Sequence, residues 1–194
     1  DHLAQPGFEG AKYVCSPPLR SKHDHRHHHA DLWKGLRMNE LAIVSTDHCP
    51  FCMKDQKEMG LGNFAKIPNG MGGVEHRMNL IYQGVVNGEL SVTRWVETCC
   101  TTPARMFGMY PKKGALLPGS DADIVLYDPN GSTKIGINDT HHMNMDHSSW
   151  EGTTIDGKVS LVMSRGTVVI ENDAYVGRKG HGQFVRRGLS QYLV

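Results

Sequence analysis

Residues 41–51 read LAIVSTDHCPF, an apolar run that ends in a group of polar and reactive side chains. The run predicts a strand buried on both faces, as in a parallel sheet. Asp47 follows it directly, with His48 and Cys49 behind. Parallel α/β sheets and barrels carry their active sites at the carboxyl ends of the strands. The pattern therefore predicts a functional site at Asp47, whose carboxylate could ligate a metal ion or act as a general base. The structural alternative is that Asp47 caps the next turn and His48 joins its hydrogen bonds.

The segments around this run predict alternating strands and helices. Residues 11–16 form a predicted strand that ends at residues 17 and 18, because these two prolines remove ladder donors. Apolar residues at helical spacing predict a helix over residues 30–39, with Leu32, Trp33 and Leu36 on one face. They also predict helices over residues 74–86 and 92–107, the latter interrupted by Pro103. A long glycine-rich loop lies between about residues 53 and 73. Residues 1–112 are therefore predicted to form an α/β domain.

The remaining residues, 113–194, predict a second domain that is mostly β. A strand over residues 123–127 is predicted to close at the Asp-Pro-Asn-Gly turn signal of residues 128–131. Residues 158–164 and 167–171 predict a hairpin across Arg165 and Gly166.

Composition narrows the class of protein. The chain has 194 residues, of which 39% are hydrophobic and 21% charged, values typical of a globular protein. A net charge of +1 gives no basic surface for nucleic acid, and no apolar run approaches the ~18 residues that span a bilayer. Five cysteines, two of them adjacent, are a poor disulfide framework, so we expect a reducing, cytoplasmic location. The start at Asp1, without Met, predicts a piece of a longer protein.

Two further motifs permit other chemistry. Cys49 and Cys52 form a C-x-x-C, which could serve redox chemistry or half of a zinc site. We favour two ordinary thiols, because a redox motif would open a helix in a small thioredoxin-like domain. The tract HDHRHHH over residues 23–29 places His25 and His29 one helical turn apart, where they could hold a metal ion. A solvated helix entry is the preferred interpretation.

The chain resembles dihydropyrimidinases and D-hydantoinases through several motifs in a fixed order. These motifs are residues 12–20 (KYVCSPPLR), 45–51 (STDHCPF), 66–70 (KIPNG), 101–111 (TTPARMFGMYP), 113–114 (KG) and 118–125 (PGSDADIV). The last is shared widely among cyclic amidohydrolases, whereas the first three are more specific. The resemblance implies an α/β fold, namely the C-terminal part of a TIM-like (β/α)8 barrel plus part of a small β-sandwich.

The resemblance also implies a reaction and a set of site residues. The reaction is hydrolysis of the cyclic amide C–N bond of dihydropyrimidines (dihydrouracil, dihydrothymine) or hydantoins in pyrimidine degradation, by hydroxide bound to a dinuclear zinc centre. By motif match, Asp47 ligates metal and carries the proton from the attacking water to the leaving nitrogen. Ser16 and Asn69 hold the amide edges of the ring, and Cys49 lines the pocket. A homo-oligomer, either a dimer or a tetramer, is expected.

The family's other metal ligands lie upstream of these motifs. They are a His-x-His pair, a carboxylated bridging lysine and two further histidines, so this chain alone is expected to be inactive. The alternative is a collapsin-response-mediator-like binding protein, a relative without catalysis. Such proteins lack the aspartate at position 47 and the asparagine at position 69, and this sequence has both. The choice between dihydropyrimidine and hydantoin stays open.

Overall fold

The computed structural model describes residues 2–20, 22–139 and 144–192, and only the backbone of residues 22–27. Its helices are α1 (Lys22–Arg37), α2 (Arg77–Val86), α3 (Val92–Val96) and α4 (Thr102–Met106). Its strands are β1 (Ile124–Lys134), β2 (Thr154–Ser164), β3 (Thr167–Glu171) and β4 (Ala174–Tyr175). Short 3-10 turns span His2–Ala4, Glu9–Tyr13, Lys57–Gly60 and Phe64–Lys66. The predicted mixture of helix and strand is confirmed, while the domain boundary at residues 112 and 113 stays a prediction.

Helix α1 covers residues 30–37 of the helix predicted over residues 30–39, and it contacts α2. Leu36 is buried, and a Cβ on Gly84 would lie 2.6 Å from the ring of Trp33, so the glycine gives this indole its place. Leu32, expected on the same apolar face, is instead 54% exposed. The buried guanidinium of Arg94 satisfies the end of α1, since its Nε donates to the carbonyl of Leu36 at 2.6 Å.

The helix predicted over residues 92–107 is present as α3 and α4, joined by a π-helical turn over Glu97–Thr101. Ser91 caps it, because its Oγ accepts the N–H of Arg94 at 3.1 Å. Pro103 lies in the first turn of α4, where its missing N–H is not needed. The predicted interruption of the helix at Pro103 is therefore wrong. The irregularity lies one turn earlier, in the π-helical residues.

The helices join the sheet through an aromatic cluster of Tyr82, Trp95 and Tyr127, from α2, α3 and β1. Their ring centroids lie 4.7–5.1 Å apart at tilted or edge-on angles, an arrangement that adds roughly 0.5–1.5 kcal/mol per pair beyond apolar burial. Gln83 also pairs with the backbone of Asp156, donating to its carbonyl at 2.8 Å and accepting its N–H at 3.2 Å. Helix α2 therefore fixes the sheet relative to the helical part.

The sheet is an antiparallel meander in the order β1-β2-β3-β4. The predicted hairpin is confirmed, because Ser164 pairs with Thr167 across Arg165 and Gly166, both at positive φ. The turn predicted at residues 128–131 is wrong. Strand β1 continues to Lys134, and an irregularity in its pairing with the 11-residue β2 absorbs these residues, including the proline that lacks a ladder donor.

Neither of the strands predicted at residues 11–16 and 41–46 is present. A 3-10 turn covers Glu9–Tyr13, and residues 42–50 have no regular secondary structure. A strand needs a ladder of hydrogen bonds to a neighbour. Here Val14 accepts one bond from the N–H of Gly70, and Val44 donates one to the carbonyl of Thr98. The barrel and the β-sandwich therefore stay predictions.

Within the described ranges, no helix has both the length and the apolar character needed to cross a membrane.

Candidate functional site

The four predicted site residues, which come from three separate segments of the sequence, line one cleft. Ser16, Asp47, Cys49 and Asn69 all border a cavity of about 470 Å³, within the ~300–1,000 Å³ typical of small-molecule sites. Each comes from one of the three family-specific motifs. The structure thus brings these residues together, while the role of each stays a prediction.

Asp47 is the one acidic residue among those lining this cleft in the described chain. Its backbone has φ of 44°, the left-handed conformation that aspartate adopts more readily than most residues. The side chain is exposed and makes no hydrogen bond or ion pair with another described residue. The alternative in which Asp47 caps the next turn is therefore not seen among the described residues, and Asp47 borders the cleft.

His48, in contrast, has the structural role that the sequence allowed for it. Its Nδ1 accepts the N–H of Gly73 at 3.0 Å and of Val74 at 3.2 Å. These bonds place the ring proton on Nε2 and hold residues 73–74 in a turn, so α2 begins at Arg77 instead of the predicted residue 74. His48 thus fixes the glycine-rich wall of the cleft.

The backbones of the three motifs touch one another at Gly70. Its N–H donates to the carbonyl of Val14 at 3.0 Å, and a Cβ at this position would overlap the carbonyl oxygen of Cys49. Close by, the N–H of Cys49 donates to the carbonyl of Met71 at 3.1 Å. Only glycine permits this approach. The preceding residue is Asn69, whose Nδ2 donates to the carbonyl of Ile67 at 3.1 Å. This bond leaves the amide oxygen of Asn69 able to accept a hydrogen bond in the cleft.

Lys57 lies beneath the same junction and is completely buried. Its Nζ donates to the carbonyls of Val14 at 2.9 Å, Pro68 at 3.0 Å and Gly70 at 2.9 Å. Burial lowers the pKa of Lys57 from its ordinary value of 10.5, and the nearby thiols of Cys15 and Cys49 partly oppose that shift. The sequence places Lys57 in a charged loop and gave no signal that it would be buried.

A segment after β1 completes the cleft through Trp150, which sequence reasoning also missed. Asp146 anchors this segment, because its carboxylate accepts the N–H groups of Met53 and Lys54, each at 2.9 Å. Partial burial raises the pKa of Asp146, but hydrogen bonds from His147 and from these two N–H groups outweigh it and hold the pKa at about 2. Trp150 is thereby tied to the residues that follow the C-x-x-C.

Another missed residue is Arg77, at the start of α2. Its side chain lines the cleft, and its Nε is buried without a hydrogen-bond partner among the described residues. The cleft wall therefore holds a cation whose Nε–H has no partner in the part of the chain that the structure describes.

The other two motifs do not form a second site in the described residues. All five cysteines are free. Cys52 Sγ lies 3.8 Å from the carbonyl oxygen of Asn144, which belongs to the segment between β1 and β2. His29 is exposed on α1, whereas the side chain of His25 lies outside the described residues. Where side chains are described, no three His, Cys, Asp or Glu residues are placed to hold a metal ion. Asp47 thus fits one ligand of a metal centre, not a whole one.

The chain is similar to known proteins over most of its length. A model of the Amidohydrolase family matches residues 12–169. The chain is similar to the D-hydantoinase of Streptomyces coelicolor, with 58% identity over 193 residues, which are 100% of this chain and 40% of that protein. It is similar to the D-hydantoinase of Ralstonia pickettii, with 44% identity over 187 residues, or 96% of this chain and 40% of that one.

Solved structures show the same likeness. The D-hydantoinase of Bacillus sp. AR9 matches with a TM-score of 0.89 and 44% identity, over 96% of this chain and 40% of that one. The dihydropyrimidinase of Brevibacillus agri NCHU1002 matches with a TM-score of 0.90 and 44% identity, over 97% of this chain and 40% of that one. The predicted resemblance is confirmed, and the chain spans about two fifths of the length of these relatives.

Proposed function

Because this chain belongs to the amidohydrolase family, we propose that the cleft around Asp47 is part of the active site of a cyclic amidohydrolase. The full-length protein hydrolyses the ring C–N bond of dihydropyrimidines or hydantoins. One observation carries the proposal: Ser16, Asp47, Cys49 and Asn69, from three separate motifs, line one cleft. The names of the matched relatives, D-hydantoinase and dihydropyrimidinase, support this substrate class.

Amidohydrolases are generally metal-dependent, and a metal ion in such a site polarises the scissile carbonyl and makes water more acidic. We propose zinc, as two ions, with Asp47 as one ligand and the remaining ligands outside residues 1–194. The exposed, unpaired carboxylate of Asp47 in the cleft supports this assignment. On this proposal the 194-residue chain alone does not turn over substrate.

The chain's own residues divide the remaining work. Asp47 takes a proton from the attacking water as the new C–O bond forms, and delivers it to the ring nitrogen as the C–N bond breaks. The product carries a carboxylate and a ureide. The amide oxygen of Asn69 and the backbone beside it, together with Ser16, hold the amide edges of the ring. Cys49 and Trp150 provide the walls that exclude water.

The alternative of a binding protein without catalysis finds no support in the cleft. Asp47 and Asn69, the two residues that such relatives lack, both line it.

The likeness to solved structures supports the wider proposal that residues 1–112 belong to a TIM-like barrel and residues 113–194 to a β-sandwich. Phe184 and Leu189, each 91% exposed, support burial against another part of the protein or a second copy in a homo-oligomer. A cytoplasmic location is part of the same proposal.

The test is hydrolysis of dihydrouracil and hydantoin by the full-length protein and its Asp47→Ala variant, with bound zinc measured in both. We expect Asp47→Ala to lose several orders of magnitude in kcat and to retain less zinc. The matched control is Asp31→Ala, an exposed aspartate on α1 outside the cleft, which should behave as wild type. Near-normal hydrolysis by Asp47→Ala would contradict the assignment.

A further inference from the structure

A completely buried lysine needs a physical explanation. Removing an ammonium group from water costs several kcal/mol in real proteins, so such a group persists only with strong compensating partners. Lys57 has three carbonyl oxygens at 2.9–3.0 Å, and its Nζ lies 5.9 Å from the ring centroid of Phe51. An ammonium group has three N–H donors and neutral amine only two. Three acceptors therefore match the charged form.

The three acceptors belong to the loops that carry the predicted ring-binding residues. Val14 lies two residues before Ser16, while Pro68 and Gly70 flank Asn69 on either side. The N–H of Gly70 shares the carbonyl of Val14 with Lys57. The ammonium group thus bridges the two loops and reinforces the direct hydrogen bond between them.

Lys57 is itself held by the segment that carries Asp47. Its N–H donates to the carbonyl of Cys52 at 2.9 Å, and Gln56 Oε1 accepts the N–H of Cys52 at 2.6 Å. The turn that presents Lys57 is therefore continuous with the C-x-x-C that follows Asp47. All three segments of the cleft therefore meet at Lys57, two of them at its ammonium group and the third at its backbone N–H.

We infer that Lys57 is a positioning residue for substrate binding: its ammonium group holds the Ser16 loop and the Asn69 loop at the spacing that fits the ring. This inference rests on the proposed function. Lys57 lies beneath the cleft and is not among its lining residues, so it acts through the two loops and not on the reacting atoms.

The experiment compares full-length wild type with Lys57→Met, which keeps the length of the side chain and removes its donors, and Lys57→Gln, which keeps two of them. Lys34→Met, at an exposed lysine on α1 outside the cleft, is the matched control. KM and kcat are measured for dihydrouracil and hydantoin. Hydrogen exchange is measured by mass spectrometry on peptides that cover residues 14–17, 67–71 and the sheet.

We expect Lys57→Met to exchange faster at residues 14–17 and 67–71, with the sheet unchanged. KM should rise about tenfold or more, kcat should fall less than that, and zinc content should stay at the wild-type level. Lys57→Gln should be intermediate, and Lys34→Met should match wild type.

Several outcomes overturn the inference. Unchanged exchange in both loops does so, as does faster exchange with unaltered KM, because Lys57 would then stabilise the loops without serving the substrate. Failure of both Lys57 variants to fold would show that Lys57 supports the whole domain instead. If wild type hydrolyses no cyclic amide, the proposed function fails, and the exchange data alone still decide whether Lys57 fixes the two loops.

Discussion

Gly70 offers a direct test of the junction beneath the cleft. In Gly70→Ala the added methyl group would overlap the carbonyl oxygen of Cys49 and lie 3.0 Å from the Phe51 ring. Backbone cannot yield as a flexible side chain does, so the chain at residue 70 must move away from residue 49. The effect is steric, since Gly70 is not among the glycines with positive φ.

The size of the effect follows from the bonds that this movement breaks. Two hydrogen bonds depend on the present position of Gly70: its N–H to Val14, at 3.0 Å, and its carbonyl to Lys57, at 2.9 Å. A neutral bond contributes about 1 kcal/mol and one to a charged group about 1.5–3 kcal/mol. We therefore expect Gly70→Ala to lower the free energy of unfolding by roughly 3 kcal/mol.

Urea denaturation of the full-length protein measures this loss of stability. A rise in KM for dihydrouracil would report that the neighbouring Asn69 is displaced. The matched control is Gly182→Ala, because a Cβ at Gly182 meets nothing within 4 Å. The control should stay within about 0.5 kcal/mol of wild type. If Gly70→Ala has the stability and the KM of wild type, the close approach of the two backbones does not support the site.

Three other predictions concern separate parts of the molecule. Iodoacetamide should alkylate Cys49, exposed in the cleft, and substrate should protect it, whereas buried Cys99, whose pKa is raised by burial, should stay unlabelled in peptide mass spectra. Since the pKa of Asp146 lies at about 2, below its ordinary value of 3.8, its anchoring contribution should be complete above about pH 4 and be lost as pH falls through about 2. Trp150 fluorescence during acid titration should show this transition, and Asp146→Asn should lack it. Gly84→Ala should lower the free energy of unfolding by about 1–3 kcal/mol, because the methyl group displaces the Trp33 ring, and equal urea midpoints would refute that packing.

The sequence alone determined those elements whose pattern is local. The helix over residues 92–106 and the hairpin between β2 and β3 depend on residues close in the chain, so apolar spacing and the Arg165-Gly166 turn were enough to predict them. The predictions of strands at residues 11–16 and 41–46 were wrong. A strand exists only beside a partner strand, and apolar composition does not supply that partner.

The site shows the same division. Motif resemblance named Ser16, Asp47, Cys49 and Asn69 one by one, but only the tertiary structure placed them around one cleft. Nothing in the sequence indicates that Lys57 is buried, since a lysine in a glycine-rich loop is usually solvated. Its burial depends on carbonyls that come 43 residues before it and 11 and 13 residues after it. Long-range geometry of this kind decides which polar groups are buried, because each needs partners that only the folded chain brings within hydrogen-bonding distance.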